Sequence, residues 1–313
     1  MAALLQEHDS GSQAEDDSYA IIEKLADAIR IEDDVQASAV DRAKLVRDLF
    51  EGPRQCECCI NWIDDAPCNV DLEAADDADE DSHPIILRRR IFPGVNKDSK
   101  AKTTVHSVEI RSSAAREALF EVFSGLDGLH PDVKYLIFRA PFYQFFWRWQ
   151  AFEKAIADQE NEKVKAVLVQ LRAIVKRELA DAFAVSNELT SNGVITFRYL
   201  WTLFPPGELI YSSLSACERF FMLLNSHMIQ QTIPAPRGSR SHYQLNCRYV
   251  DWDGHNFGWL PWAGHIFEFK GTCKITDLAF YPAKYMADQA GARDRCIARG
   301  LKFRDLAGIQ YKS

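Results

Sequence analysis

No stretch of about 18 consecutive apolar residues occurs in this chain, so no membrane-spanning helix is expected. The most hydrophobic region, Tyr199 to Cys217, is interrupted by Pro205, Pro206, Gly207 and Glu208. The opening MAALLQEHDSGSQAEDD has neither a basic n-region nor an apolar h-region, so a secretory signal is not expected, and its acidity argues against a mitochondrial transit peptide. Cysteine is sparse: 8 residues in 313 are too few for a disulfide scaffold. These absences lead to the expectation of an intracellular protein, cytoplasmic or nuclear, with reduced thiols.

Catalytic signatures are missing as well. The phosphate-cradling pattern G-x-x-x-x-G-K-[ST] does not occur; Gly94 with Lys97 and Gly271 with Lys274 lack the second glycine. His106, His227, His242, His255 and His265 are scattered, with no H-E-x-x-H spacing, and Cys217, Cys247, Cys273 and Cys296 have no nucleophile–base signature. The expectation is therefore a non-enzyme. The net charge of -8 makes the chain a poor default binder of nucleic acid or anionic membrane, although part of that charge sits in Asp71 to Asp81 (DLEAADDADED).

What is present reads as a folded α+β protein, with hydrophobic residues at 47% and aromatics at 12%. Residues 1–18 are small and polar and are expected to form a disordered tail. Residues 19–70 form a helical segment with a cysteine cluster: Ile21, Ile22, Leu25, Ala28 and Ile29 make one helical stripe, and Val40, Ala43, Leu45, Val46, Leu49 and Phe50 a second. Residues 71–83 form an acidic linker, and residues 84–313 form the main body.

Within that body Ile85–Phe92 and Val105–Ile110 read as strands, and Ser112 or Ser113 is placed to cap a helix reaching Phe123. Pro141 opens an aromatic helix carrying Phe142, Phe145, Phe146, Trp149 and Phe152. After the polar break Asp158–Asn161, a longer helix shows Val164, Val167, Leu168, Leu171, Ile174, Val175, Leu179 and Phe183 on one face, which makes a helical hairpin over about 142–187. Asn192-Gly193 ends it, and Thr196 is placed to cap a short helix through Leu203. Past Gly207 the period changes to two: Tyr243, Leu245, Cys247 and Tyr249 alternate with His242, Gln244, Asn246 and Arg248. Strands at about 208–212, 218–229, 242–249, 256–260, 265–270 and 274–281, with a tight turn at Asp253-Gly254, make an antiparallel, barrel-like sheet, followed by a helix over about 286–306.

Several segments resemble a domain of unknown function found N-terminal to the ATPase core of fungal AAA+ ATPases. They are APFYQFFWRWQAFEKA (Ala140 to Ala155), GVITFRYLWTLFPPGELIY (Gly193 to Tyr211), CRYVDWDGHNFGW (Cys247 to Trp259) and RGLKFRDLAGIQYKS (Arg299 to Ser313). The likeness covers roughly residues 84–313 and implies an accessory domain for protein recognition or assembly, with ATP hydrolysis belonging to a AAA+ core that this chain lacks. The implied partners are a protein client or adaptor, and the AAA+ core of a longer form. The alternatives are an enzyme with an unrecognised site and, more weakly, a nucleic-acid-binding module.

Two groups carry the remaining functional hypotheses. Cys56, Cys58, Cys59 and Cys68 could close a tetrahedral zinc site, but C-x-C-C-x8-C is not the usual pair of C-x-x-C knuckles, and a plain cysteine-containing loop beside Trp62 is the competing reading. Trp252, Asp253, Trp259 and Trp262 cluster around one hairpin: exposed they make a recognition tip, and buried they close one end of a barrel. Arg88, Arg89 and Arg90 read as a solvated strand face.

Overall fold

A computed structural model describes residues 44–53, 56, 59–64, 83–92, 102–126, 136–214, 217–232 and 239–305. The expected tail 1–18, the helical stripe at 21–29 and all of the acidic linker except His83 lie outside these residues. The chain divides into two compact units. One gathers residues up to Ala115 with 134–138 and 160–171; the other takes 116–133, 139–159 and 172–313. The strands within 85–110 thus share a unit with the described residues within 44–64 as well as with 134–138 and 160–171.

The first unit is built on a five-stranded sheet in the order β2-β1-β3-β4-β5, from β1 (Val46–Glu51), β2 (Trp62–Ile63), β3 (Ile85–Phe92), β4 (Lys102–Ile110) and β5 (Leu136–Arg139). Val46–Phe50, expected to be helical, is a strand. It runs parallel to β3 from Val46↔Ile85 to Phe50↔Arg89, so long-range pairing overrides an ambiguous apolar period. Ile85, Ile86 and Leu87 are consecutive and all fully buried, the pattern of a central strand covered on both faces. Of the arginine run that follows, Arg88 and Arg89 are not solvated, while Arg90 is partly exposed. Arg89 is buried and bonded to Asp48, while Arg88 donates to Glu109, which is 3% exposed. Arg111 donates to the same carboxylate at 3.0 Å. Burial disfavours the Glu109 anion, but the hydrogen bonds from Arg88 and Arg111 outweigh it and hold its pKa below the ordinary value.

Helix α1 (Ser113–Val122) begins as its sequence indicates: Ser112 Oγ accepts from Ala115 N at 3.4 Å. In the second unit, α2 (Tyr143–Trp147) and α3 (Trp149–Ala157) are separated by a break at Arg148; the polar stretch 158–161 leads into α4 (Glu162–Ser191), of which 162–171 group with the first unit and 172–191 with the second. Asn161 caps α4 by accepting from Lys163 N (3.0 Å) and Val164 N (3.3 Å). Phe142, Phe145 and Phe152 are buried, and Phe146 stacks on Phe183 of α4 at 4.8 Å, so the aromatic run of this helical-hairpin region is core. Trp147 Nε1 donates to Trp201 O at 2.9 Å. A 3₁₀ helix, Phe197–Thr202, follows at the expected place, but Thr196 does not cap it. Its side chain makes no cap hydrogen bond, and its hydroxyl is buried with no partner among the described residues.

The second sheet is an antiparallel meander in the order β10-β9-β8-β7-β12, from β7 (Leu209–Ser212), β8 (Arg219–Thr232), β9 (Ser239–Trp252), β10 (Phe257–Phe267) and β12 (Tyr281–Pro282). Gly207, at φ 86°, turns the chain into it. The strands expected at 256–260 and 265–270 are one continuous strand, running through Pro261 opposite Arg248. Proline is tolerated there because β10 is an edge, where no ladder donor is needed on the free side. The strand expected at 274–281 is instead β11 (Thr272–Lys274), a 3₁₀ turn and the short β12; β11 pairs with β6 (Val194–Thr196) in a separate two-stranded sheet. The final helix is α5 (Gln289–Asp305).

Candidate functional site

Register fixes which side chains share a face of the meander, because paired residues in an antiparallel ladder point the same way. Tyr243, Leu245, Cys247 and Tyr249 lie on one face with Ile266, Gly264, Trp262 and Leu260 opposite them. Tyr243, Leu245 and Cys247 are buried, and Cys247, expelled from water, has its thiol pKa pushed up to about 12. Ser226 Oγ donates to Phe204 O (3.1 Å) and pairs with Tyr243 OH (2.8 Å), so the buried phenol is satisfied. This inner half behaves as an ordinary sheet core.

The outer half does not. β9 and β10 run on to a hairpin whose turn is set by Asp253: its Oδ1 accepts from His255 N (2.8 Å) and Asn256 N (2.7 Å), and Gly254 takes φ 102°. These backbone bonds hold the Asp253 pKa below the usual carboxylate value and engage the group in the turn. Trp252 packs against Phe257, ring centres 4.8 Å apart, closing the loop. Beyond that pair, large apolar groups face solvent on both sides of the same ribbon. Trp259 (55% exposed) shares one face with Val250 and Phe257; Trp262 (42%) and Leu260 stand on the other. Of the four hairpin residues singled out in sequence, Trp259 and Trp262 are therefore exposed on opposite faces, Trp252 is half-buried, and Asp253 is a turn former.

Each face has its own setting. On the Trp259 face, the Arg248 guanidinium lies 4.5 Å from the indole centre, a cation–π contact at the surface. The same face nearer β12 is covered by α5, where Ala292 is buried against Tyr211, Phe220 and Met286. Glu218 anchors this helix. Its carboxylate accepts from Tyr211 OH (2.9 Å) and from Arg295 Nε and Nη2 (both 2.8 Å), and its backbone O accepts from Arg299 and from Cys296 Sγ. The Arg295 and Tyr211 hydrogen bonds bring the Glu218 pKa down to about 2. Desolvation and that same carboxylate push the Tyr211 phenol up to about 12.

On the Trp262 face, a pocket of about 240 Å³ opens beside the ribbon. Phe221 and Phe280 form its apolar floor, and Trp262 and Leu214 its walls; Ser212, Cys217 and Arg219 complete it. The Phe280 ring lies over Gly264, where any side chain would collide with it. Sequence reasoning found Trp262 but not Arg219 and Phe221, which lie 43 and 41 residues before it, or Phe280, 18 residues after it; only the fold brings them together. The alternation of Arg219, Phe221 and Leu223 along β8 was the one signal available.

The other sequence hypotheses fare differently. Cys56 and Cys59 are exposed, while Cys58 and Cys68 lie outside the described residues, and with them any four-sulfur set. Among the described residues no group of three or more His, Cys, Asp or Glu is placed to hold a metal ion, and no helix is long and apolar enough to cross a membrane. No curated protein and no solved structure matches the chain. Residues 185–287, which run from the end of α4 through the whole meander, match the profile of the family described as "Domain of unknown function (DUF7025)".

Proposed function

We propose that this chain is a non-catalytic accessory domain, of the kind that precedes a AAA+ ATPase core, and that it holds a protein client or adaptor through the outer half of the β9–β10 hairpin. One observation carries the reading: this ribbon presents Trp259, Phe257 and Val250 on one face and Trp262 and Leu260 on the other, all in solvent. A one-sided antiparallel sheet normally exposes polar groups on its wet face, and contiguous exposed apolar area on a folded protein is a mark of an interaction surface. Tryptophan is the side chain most enriched among residues that dominate binding energy. The neighbouring carboxylates, Asp251 and Asp253, disfavour a phosphate backbone and so favour a protein partner over a nucleic acid. The resemblance to the AAA+-associated domain supports the setting: the motor is supplied by another segment, and this one selects what is worked on.

The test places a photo-crosslinking amino acid at residue 259 of the full chain in cells, with a control at exposed Lys176 on α4. A discrete protein adduct is expected from 259 and not from 176, and it should fall at least fivefold when Trp262→Ala and Leu260→Ser are added. A nucleic-acid adduct, or an adduct indifferent to those changes, would overturn the reading. The same proposal expects no ATP turnover by the purified chain with Mg²⁺ and saturating ATP. Phosphate release that is lost on substituting one of its own residues would contradict it.

A further inference from the structure

Ser212 and Arg219 stand opposite one another in the β7–β8 register, so both side chains leave the sheet on the pocket face. Ser212 is 3% exposed. Its Oγ accepts from Leu214 N at 3.3 Å, and its own proton has no acceptor among the described residues. A buried donor left unmatched is unfavourable, and a ligand oxygen would satisfy it. The Arg219 guanidinium lies 5.3 Å from the centre of the Tyr249 ring and forms no ion pair among the described residues. The carboxylate beside it in sequence, Glu218, is engaged on the opposite face by Tyr211 and Arg295. Asp251, on its own face, accepts from Tyr249 OH and Trp252 N. The pocket therefore combines an apolar floor of Phe221 and Phe280 with a guanidinium and a hydroxyl proton that have no acceptor among the described residues.

We propose that this pocket binds the C-terminal residue of a partner polypeptide, its large apolar side chain between Phe221, Phe280 and Trp262 and its terminal carboxylate on Arg219 and Ser212. The inference rests on reading the chain as a protein-recognition module and names what its partner must carry. Size selects the occupant: about 240 Å³ is below the range of roughly 300–1,000 Å³ typical of cofactor and drug-sized sites, and suits one side chain. Chemistry selects the carboxylate, which matches the planar fork of arginine with two parallel hydrogen bonds. Geometry selects the chain end. Successive side chains of an extended peptide point to opposite sides, so an internal acidic residue on the same side as an apolar one is about 6.8 Å further along. The terminal carboxylate is bonded to the same Cα as the side chain, so both enter one small pocket together.

The experiment is fluorescence anisotropy on the full chain with a fluorescein-labelled hexapeptide of glycine and serine ending in phenylalanine, as the free acid and as the C-terminal amide. The free acid is expected to bind, the amide at least tenfold more weakly. Arg219→Gln should bring the acid down to the level of the amide, and Arg219→Lys should retain part of the difference. Trp262→Ala, on the exposed rim, should weaken both peptides, and it keeps the test decisive if Arg219→Gln fails to fold. Lys176→Ala, on the exposed side of α4, should leave binding within twofold. Equal binding of acid and amide, or acid binding unaffected by both Arg219→Gln and Trp262→Ala, overturns the proposal, as does the absence of binding by either peptide. The crosslinking result at residue 259 is read separately, so loss of this proposal with that adduct intact leaves the recognition reading standing.

Discussion

Gly264 lies under the ring of Phe280: a methyl group added at residue 264 would sit 3.0 Å from the Phe280 Cε2 and Cζ atoms. Phe280 is 4% exposed and packs edge-on against Phe221, ring centres 5.8 Å apart, which limits where the ring can retreat. Gly264→Ala is expected to destabilise the second unit by about 1–3 kcal/mol, the usual cost of overpacking a core. Urea denaturation checks the size, and pairing it with Phe280→Leu should recover part of the loss, as expected for residues in contact. Additive effects would show that the ring moves aside freely.

Glu109 makes the corresponding prediction for the first unit. It is 3% exposed and accepts from both Arg88 and Arg111. Glu109→Gln leaves two partly buried guanidinium groups without their anion, a change that typically costs about 3–5 kcal/mol. Its pKa is lowered in the folded state, so its contribution is complete above the unfolded value near 4.5 and declines as pH falls below that. Acid titration of stability should show this loss in the parent protein and a shallower one in Glu109→Gln.

Much of the helical region and of the second sheet was legible because the signals are local. The polar break at Asp158–Asn161, the stripe from Val164 to Leu179, the Gly207 turn and the alternation through Tyr243–Tyr249 are each decided within a few residues. Val46–Phe50 was misread because apolar residues at 45, 46, 49 and 50 suit a helix as well as a strand, and only pairing with Ile85–Arg89 decides between them. The same pairing converts Arg88 and Arg89 from apparent surface charges into bonded groups, through Glu109 and Asp48 that lie 21 and 41 residues away. The tryptophans of the hairpin were visible as a cluster. Their separation onto two faces, and the pocket that one of them walls, follow from the odd spacing of 259 and 262 and from a β8 partner that no local pattern reveals.

Ser226 gives a prediction inside the sheet. Its hydroxyl donates to Phe204 O at 3.1 Å and so takes the proton of Tyr243 OH at 2.8 Å. Tyr243 is 3% exposed, and burial is the main cause of its raised phenol pKa. Ser226→Ala strands that hydroxyl and should cost about 1–3 kcal/mol. The double variant with Tyr243→Phe should be more stable than Ser226→Ala alone, because it removes the unsatisfied group as well as its partner. Thermal unfolding of the three proteins distinguishes this from a simple cavity effect, in which the second substitution would add to the loss.

The attachment of α5 should depend on pH through Glu218. Apolar contact alone is slight on this helix: Ala292 is its one buried residue among those described, while Ile297, Leu301 and Phe303 are exposed. The polar contacts converge instead on one residue, with Arg295 forking onto the Glu218 carboxylate, Tyr211 OH on the same group, and Arg299 on its backbone oxygen. Because the folded pKa of Glu218 is depressed to about 2 from a reference of 4.5, its contribution is fully present above pH 4.5 and is lost as pH falls toward 2. Hydrogen-exchange protection of the α5 amides, corrected for intrinsic rates, should therefore decline across that interval while β8 and β9 remain protected. Glu218→Gln should show the low α5 protection already at neutral pH and no further change down to pH 3. Arg295 is largely exposed, so 0.5 M salt should weaken protection in the parent and leave the variant unaltered. Equal protection in parent and Glu218→Gln at neutral pH would mean that the Ala292 contact holds the helix by itself.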